Sequence, residues 1–363
     1  RALRKRGLLY ASGSHDDWRQ LLSIDEYGDK HPEWFARTED GIFIGDPGSG
    51  VRRGSRGAIC SSNEEAVNLL AERYVEMLKR RPFIDIVLPF QPDGQWYCHC
   101  AECEKLESSI DVPEERSQLR HLLVRERGAI KRYLAIVGPV IEKISREFPD
   151  KMIMPVLYNH TCQMPPENFD LGTFKQDNVI FWYCNWPRDK RYPLDVSPKI
   201  SASLNANFRA MQAWGQKDVP ILVSGHWIKY HSRSFPDLNA DLIGNDYKLL
   251  KNTAGANGVS LFDDCPENWY THEINHYAHA RYGWDADMNR DEFLEDYCRA
   301  RYGKAFEPMK AYIRQMDEAM NYRNIPGKVP GNPFPQLPNA LKKKKKCWQS
   351  INTAKDLTDD KTT

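Results

Sequence analysis

Ile84-Asp-Ile-Val-Leu-Pro-Phe-Gln-Pro-Asp-Gly-Gln-Trp96 is the stretch on which the reading of the fold turns. Its first half, Ile84 to Pro89, is short, largely β-branched and nearly continuous in hydrophobicity, the pattern of a strand buried on both faces. Its second half is a loop that carries an amide, a carboxylate and an indole in quick succession. Five further runs have the same character: Leu8 to Ser12, Met152 to Tyr158, Val179 to Cys184, Ile221 to His226 and Val259 to Asp263.

Helical patterns fill the intervals. Ser62-Asn-Glu-Glu65 reads as a capping box, with Val67, Leu70, Tyr74 and Met77 following on one face. Leu119, Leu122, Leu123, Ile130, Leu134, Val137, Ile141 and Ile144 form a longer stripe that contains Pro139, where a bend is expected. Leu238 to Leu250 reads as another helix, closed by the turn around Gly255 and Gly258. Strands alternating with helices define an α/β protein with parallel pairing, because parallel neighbours need crossovers. Long decorated loops after the strand C-termini predict a (β/α)8 TIM-type barrel over an open doubly wound sheet. No GxGxxG follows the first strand, and Gly45-Asp-Pro-Gly-Ser-Gly50 lacks the Gly-Lys-Ser/Thr of a phosphate loop. The expected division is a barrel over 1–285, C-terminal helices over 286–325 marked by Phe293, Tyr297, Phe306, Met309, Ile313, Met316 and Met320, and a Pro-rich linker with a Lys-rich tail over 326–363. The run Lys342 to Lys346 reads as a solvated terminus.

Bulk properties narrow the function classes. Lys plus Arg (51) nearly cancel Asp plus Glu (50), so a net charge of +1 gives no global pull toward nucleic acid or a membrane surface. No run approaches the ~20 apolar residues of a membrane span. Arg1-Ala-Leu-Arg-Lys-Arg6 is basic without a following apolar run, so no secretory signal is visible, and the chain is expected to be part of a longer one. The 10 Trp, 17 Tyr and 14 Phe matter more, since many follow the apolar runs. Flat aromatic faces beside polar groups suit sugar rings, although large aromatics also fill cores.

Cys98-His-Cys-Ala-Glu-Cys103 places three of the nine cysteines within six residues, directly after a strand. With Cys60, expected nearby, they would give the four thiolates of a closed structural zinc site. His99 is an alternative ligand, and a disulfide or free thiols are the competing readings. A second metal pattern, His272-Glu-Ile-Asn-His276, matches the H-E-x-x-H of zinc peptidases, with Glu273 as base and Glu292, Glu295 or His279 as third ligand. His279 falls where the longer pattern requires Gly, and the pattern comes after barrel-like strands, so a polar His-rich helix is the preferred reading.

Barrel enzymes place their chemistry at strand C-termini. Read in order, those ends offer Gln91, Asp93 and Trp96; Tyr158, Asn159 and His160; Trp182, Asn185 and Trp186; His226, Trp227 and Tyr230; and Asp263, Asp264, Glu267 and Trp269. Glycosidic cleavage needs an acid for the leaving oxygen and a second group that stabilises the oxocarbenium-like state, or that orients an attacking acetamido group of the substrate. Asp93, Asp263, Asp264 and Glu267 are the available carboxylates. Asp263 and Asp264 can divide the roles, one ionised and one raised by its neighbour, or they can simply cap a helix. Gly94 allows close approach to Asp93. The remaining residues are candidate sugar contacts. A carbohydrate-binding barrel without catalysis is the first alternative, and a zinc metallopeptidase is the second. No cofactor is expected in catalysis.

His31-Pro-Glu-Trp-Phe-Ala36, Ile59-Cys-Ser-Ser-Asn-Glu64, the Cys-x-Cys-x-x-Cys at Cys98 to Cys103, and Trp269 with Asn275, Tyr277 and Trp284-Asp285 together resemble domain-of-unknown-function family 4838, over roughly residues 1 to 310. That resemblance implies a glycoside hydrolase barrel related to glycoside hydrolase family 163, the endo-β-N-acetylglucosaminidases of N-glycans. It also implies an exported protein, with a preceding α/β domain and the first barrel strand upstream of Arg1. The family commonly reads Pro-Asn-Asp-Gly-Gly before its cysteines. Here Gln91-Pro-Asp-Gly-Gln95 keeps Asp93 and displaces the amide, and Tyr158-Asn-His160 stands where substrate-assisted barrels carry an Asp-Glu pair.

Overall fold

A computed structural model describes residues 3–50, 55–94, 96–106, 129–158, 161–162, 171–185, 193–194, 202–225, 227, 238–253, 255–261, 272–320 and 337–358. The chain divides into two compact units, the first Arg1–Pro187, Ser201–Ser224 and Ala254–Asn257, the second Arg188–Ile200, Gly225–Thr253 and Gly258–Thr363.

In the first unit strands and helices alternate: β1 (Ala11–Ser12), α1 (Asp17–Leu21), α2 (Ile24–Tyr27), α3 (Glu64–Arg80), β2 (Ile86–Val87), α4 (Ala101–Lys105), α5 (Ala129–Glu147), β3 (Met152–Ile153), β4 (Val156–Leu157), β5 (Phe181–Asn185), α6 (Ala202–Gly215) and β6 (Ile221–Gly225). Pairing follows chain order, β1-β2-β3 and then β4-β5-β6. Each registered pair is parallel, with Ala11 opposite Ile86, Ile86 opposite Met152 and Val156 opposite Trp182. The expected strand Met152 to Tyr158 is therefore two short strands. Pro155 has no N–H for the ladder, and the next donor, Val156 N–H, goes to the Tyr133 hydroxyl at 2.7 Å. Tyr133 in turn donates to Pro89 O at 2.7 Å, so a helix side chain stitches β2 to β4 where two prolines interrupt the backbone.

One sheet face is a period-2 set: Ile86, Leu88 and Phe90; Met152, Met154, Val156 and Tyr158; Ile180, Trp182 and Cys184; and Leu222. The opposite face packs on helices, as where Phe181 meets Trp214 of α6 at 5.2 Å between ring centroids. α3 buries Val67, Leu70 and Tyr74, with Leu78 and not the half-buried Met77 completing its face, and α5 buries Ile130, Leu134, Val137, Ile141 and Ile144, as the helical spacing requires. Pro139 lies inside α5. Leu119, Leu122 and Leu123 lie outside the described residues. Leu8, Leu9 and Tyr10 are exposed, and β1 is correspondingly shorter than the apolar run.

The second unit holds α7 (Ala240–Thr253), β7 (Gly258–Leu261), α8 (Glu273–Trp284), α9 (Arg290–Tyr302), α10 (Phe306–Met320) and α11 (Leu337–Thr358). Its core gathers Trp227, Ile243, Tyr247, Ile274, Tyr282, Phe293 and Tyr297. Asn275 of α8 accepts from Asn239 N at 2.8 Å, tying α8 to the start of α7. The lysine run lies within α11, a 22-residue helix packed along α10 with Cys347 and Ala354 buried. The expected linker residues 326–336 lie outside the described residues. Among the described residues, no helix is long and apolar enough to cross a membrane.

Candidate functional site at the strand ends

The first unit's strand ends meet because β1 and β2 touch. A Cβ on Gly13 would fall 2.2 Å from Leu88 O, so only glycine lets the end of β1 lie against the end of β2. This approach brings His15 to Gln91, whose carbonyl is 2.7 Å from His15 Nδ1. A carbonyl only accepts, so Nδ1 carries the hydrogen of this bond and Nε2 is the ring nitrogen left to other partners. The His15 ring lies 4.9 Å from Phe90 and 5.1 Å from Tyr158, and Phe90 packs edge-on to Trp182 at 5.7 Å. The Tyr158 hydroxyl reaches Asp93 Oδ1 at 3.5 Å, the long limit of a hydrogen bond. His15, Phe90, Asp93, Tyr158 and Trp182 are each partly exposed. The four rings form one continuous cluster, and Tyr158 links it to the Asp93 carboxylate.

Behind it lies a buried support. Gln91 donates through Nε2 to Tyr158 O at 3.0 Å and to Thr161 Oγ1 at 3.1 Å, clamping the β2 loop to the β4 loop. Tyr158 N–H also reaches Thr161 Oγ1, at 2.7 Å. Ser55 donates to Asp93 O at 2.6 Å, and Gly94 follows at φ +93, the left-handed region that favours glycine.

Several expected contacts belong elsewhere. Trp96 is 1% exposed and packs against Trp18, Tyr97 and Tyr133, so it is core and presents no face to a ligand. Trp227 is likewise core, 0% exposed, with Nε1 donating to Asp246 at 2.7 Å. Asn185 is buried and accepts from Asn207 Nδ2, beside Tyr183, which donates to Asn207 Oδ1. Gln91 acts as the clamp and not as a surface contact. Asn159, His160, Trp186, His226, Tyr230, Asp263, Asp264, Glu267 and Trp269 lie outside the described residues. Two members of the cluster, His15 and Phe90, carry no motif. The signal that could have found His15 is its position three residues past the end of β1, the same kind of strand end that carries the other candidates.

Of the peptidase pattern, His272 is buried just before α8 and not within it. Glu273 pairs with Arg301 at 3.0 Å, and His279 contacts the Tyr247 hydroxyl. Burial draws His279 down to about 4, with the neighbouring His276 adding to the effect.

The four cysteines do converge. The ligand atoms of Cys60, Cys98, Cys100 and Cys103 all lie within 4.8 Å of one another. Cys60 Sγ is 3.7 Å from Cys100 Sγ and 3.6 Å from Cys103 Sγ, and all four are free thiols. Hydrogen bonds from Cys103 and Cys98 draw Cys60 toward the thiolate, while Cys98 and Cys103 are pushed up in exchange. His99 is not in the group, because its Nδ1 faces Glu104 at 3.0 Å. Ser62 is the residue that the sequence pattern misassigns. The cap of α3 is Asn63, whose side chain accepts from Ala66 N at 2.9 Å, and Ser62 Oγ instead lies 3.3 Å from Cys60 Sγ and from Cys103 Sγ.

A parallel α/β chain with a partly exposed aromatic cluster and a carboxylate at its strand ends, and a four-thiol cluster fed by the loop after β2, is the class that fold and site define. The chain belongs to the family described as Domain of unknown function (DUF4838), which matches residues 5–314. No curated protein matches it.

Proposed function

We propose that this chain is a glycoside hydrolase-like protein of the (β/α)-barrel type, gripping a glycan at its strand ends and cleaving it with carboxylates there. One observation carries the reading: the partly exposed rings of His15, Phe90, Tyr158 and Trp182 form one chain of contacts, and the Tyr158 hydroxyl at its edge reaches the Asp93 carboxylate. Such rings offer apolar area to the C–H faces of a sugar, and the groups between them answer its hydroxyls. The sequential parallel order of the first unit supports a barrel, since a doubly wound sheet reverses its order at a switch point. Asp93 is the carboxylate at the described strand ends, and Asp263, Asp264 and Glu267 are the other candidates for acid or stabiliser from the sequence. Nε2 of His15 is offered to a substrate hydroxyl. Glycans containing N-acetylglucosamine are the first class to test, and an exported location belongs to the same proposal, both from the family resemblance.

The test is a glycan screen on the complete protein, followed by Asp93→Asn and Asp264→Asn. Turnover of at least one oligosaccharide is expected, with a fall of about 100-fold or more in the variant that has lost its acid or stabiliser. Undiminished turnover by both variants overturns the assignment. Sugar affinity without turnover, surviving both substitutions, would leave a carbohydrate-binding barrel in its place.

A further inference from the structure

The four-thiol cluster has a use that strand-end chemistry does not require. In a tetrahedral zinc site with Zn–S near 2.3 Å, neighbouring sulfurs stand about 3.8 Å apart. A disulfide would bring two of them to about 2.05 Å. Cys60 lies 3.7 Å from Cys100 and 3.6 Å from Cys103, and no ligand-atom separation in the group exceeds 4.8 Å. The separations therefore suit four thiolates around one cation and not a bonded pair. Cys60, Cys98 and Cys103 are buried, and four buried or half-buried sulfurs cannot all ionise without a positive ion among them.

The surroundings are those of a held metal. Ser62 Oγ lies within 3.3–3.5 Å of Cys60, Cys100 and Cys103 Sγ; it accepts from the Cys103 thiol, and its own hydrogen can go to a thiolate of Cys60 or Cys100. Arg132, 0% exposed, donates to Cys98 O and to Glu104 Oε1 and lies over the Tyr97 ring. It fixes the loop from α5 and brings a positive charge toward what would be a dianionic tetrathiolate. Cys60, Cys98 and Cys100 line an open cavity of about 430 Å³, with Phe35 and Arg37 on its wall. Cys100, the half-exposed member, gives solvent and chelators a way in.

We propose that Cys60, Cys98, Cys100 and Cys103 bind one zinc ion as a closed structural site, with the Ser62 hydroxyl as a hydrogen-bond donor to one of its sulfurs. Four protein ligands leave no position for a water nucleophile, so the metal does not take part in the reaction. It ties the segment entering α3 to the loop after β2, across 38 to 43 residues of chain. The same loop begins with Gln91 and Asp93.

The test uses the full chain: zinc content as purified, then cobalt titration of the reduced, metal-free protein, read by sulfur-to-cobalt charge transfer and tetrahedral d–d absorption. One zinc per chain and one equivalent of cobalt are expected. Cys60→Ser and Cys103→Ser should weaken cobalt binding by about 100-fold or more, and Ser62→Ala by about 10-fold with the stoichiometry kept. Cys162→Ser, which alters a thiol held by Leu157 O and Cys184 O, should leave binding unchanged. If the cysteine variants do not fold, wild type and Ser62→Ala decide the matter. A folded protein that carries no zinc and gives no charge-transfer band, or a disulfide among the four on mass mapping, overturns the proposal.

Discussion

The Tyr133 hydroxyl shows how much one atom can hold. It accepts from Val156 N–H and donates to Pro89 O, both at 2.7 Å, and burial pushes its own ionisation up. Tyr133→Phe would leave a buried N–H and a buried C=O without partners, which costs about 2–4 kcal/mol. Urea denaturation should show that loss; a change within ~0.5 kcal/mol would mean the gap is bridged another way. His279 makes a pH prediction. Burial lowers it to about 4, so the folded chain holds the ring neutral while the unfolded chain binds a proton near 6.5. Its contribution is fully present above about pH 6.5 and is lost as the pH falls toward 4, an effect of about 3 kcal/mol. His279→Gln should flatten that part of the stability profile, and an unchanged profile would assign the acid sensitivity to other groups.

At the scale of elements, the α3 cap separates pattern from structure. Asn63→Ala should cost about 1 kcal/mol by removing the acceptor for Ala66 N, whereas Ser62→Ala in metal-free protein should hardly affect the helix. Equal losses would restore the capping box. Most elements were legible because their apolar spacing is unambiguous: α5 buries every expected position from Ile130 to Ile144, and α9 and α10 fall where Phe293, Tyr297, Phe306 and Ile313 place them. Pairing partners were less legible. Pro155 looks like one residue within an apolar run, and only the Tyr133 hydroxyl shows that pairing toward β2 ends there, while Pro155 O still accepts from Trp182 N–H of β5. The lysine run reads as a solvated tail because lysines dominate its local charge, yet Cys347 and Ala354 supply the buried contacts of α11. At the site, the cysteines could be found from type and spacing. Trp96 and Trp227 could not be told from ligand contacts, because an indole in the core and an indole on a rim have the same sequence signature. His15 was missed for the opposite reason, as a lone histidine outside any motif.

For the whole molecule, a net charge of +1 and a site built from rings, an amide and one described carboxylate predict glycan binding that is nearly independent of salt. Raising ionic strength from about 0.05 to 0.5 M should move the affinity for a neutral oligosaccharide less than about 2-fold, whereas a steep fall would point to an anionic partner. The central claim is that the first unit's strand ends hold the sugar. Hydrogen–deuterium exchange of the complete protein, with and without a saturating N-acetylglucosamine-containing oligosaccharide, tests it most directly. The expected result is slowed exchange in the peptides covering His15, Phe90 to Gly94 and Tyr158, lost in Trp182→Ala at the same ligand concentration. Binding with protection confined to other segments, or protection unaffected by Trp182→Ala, would contradict it.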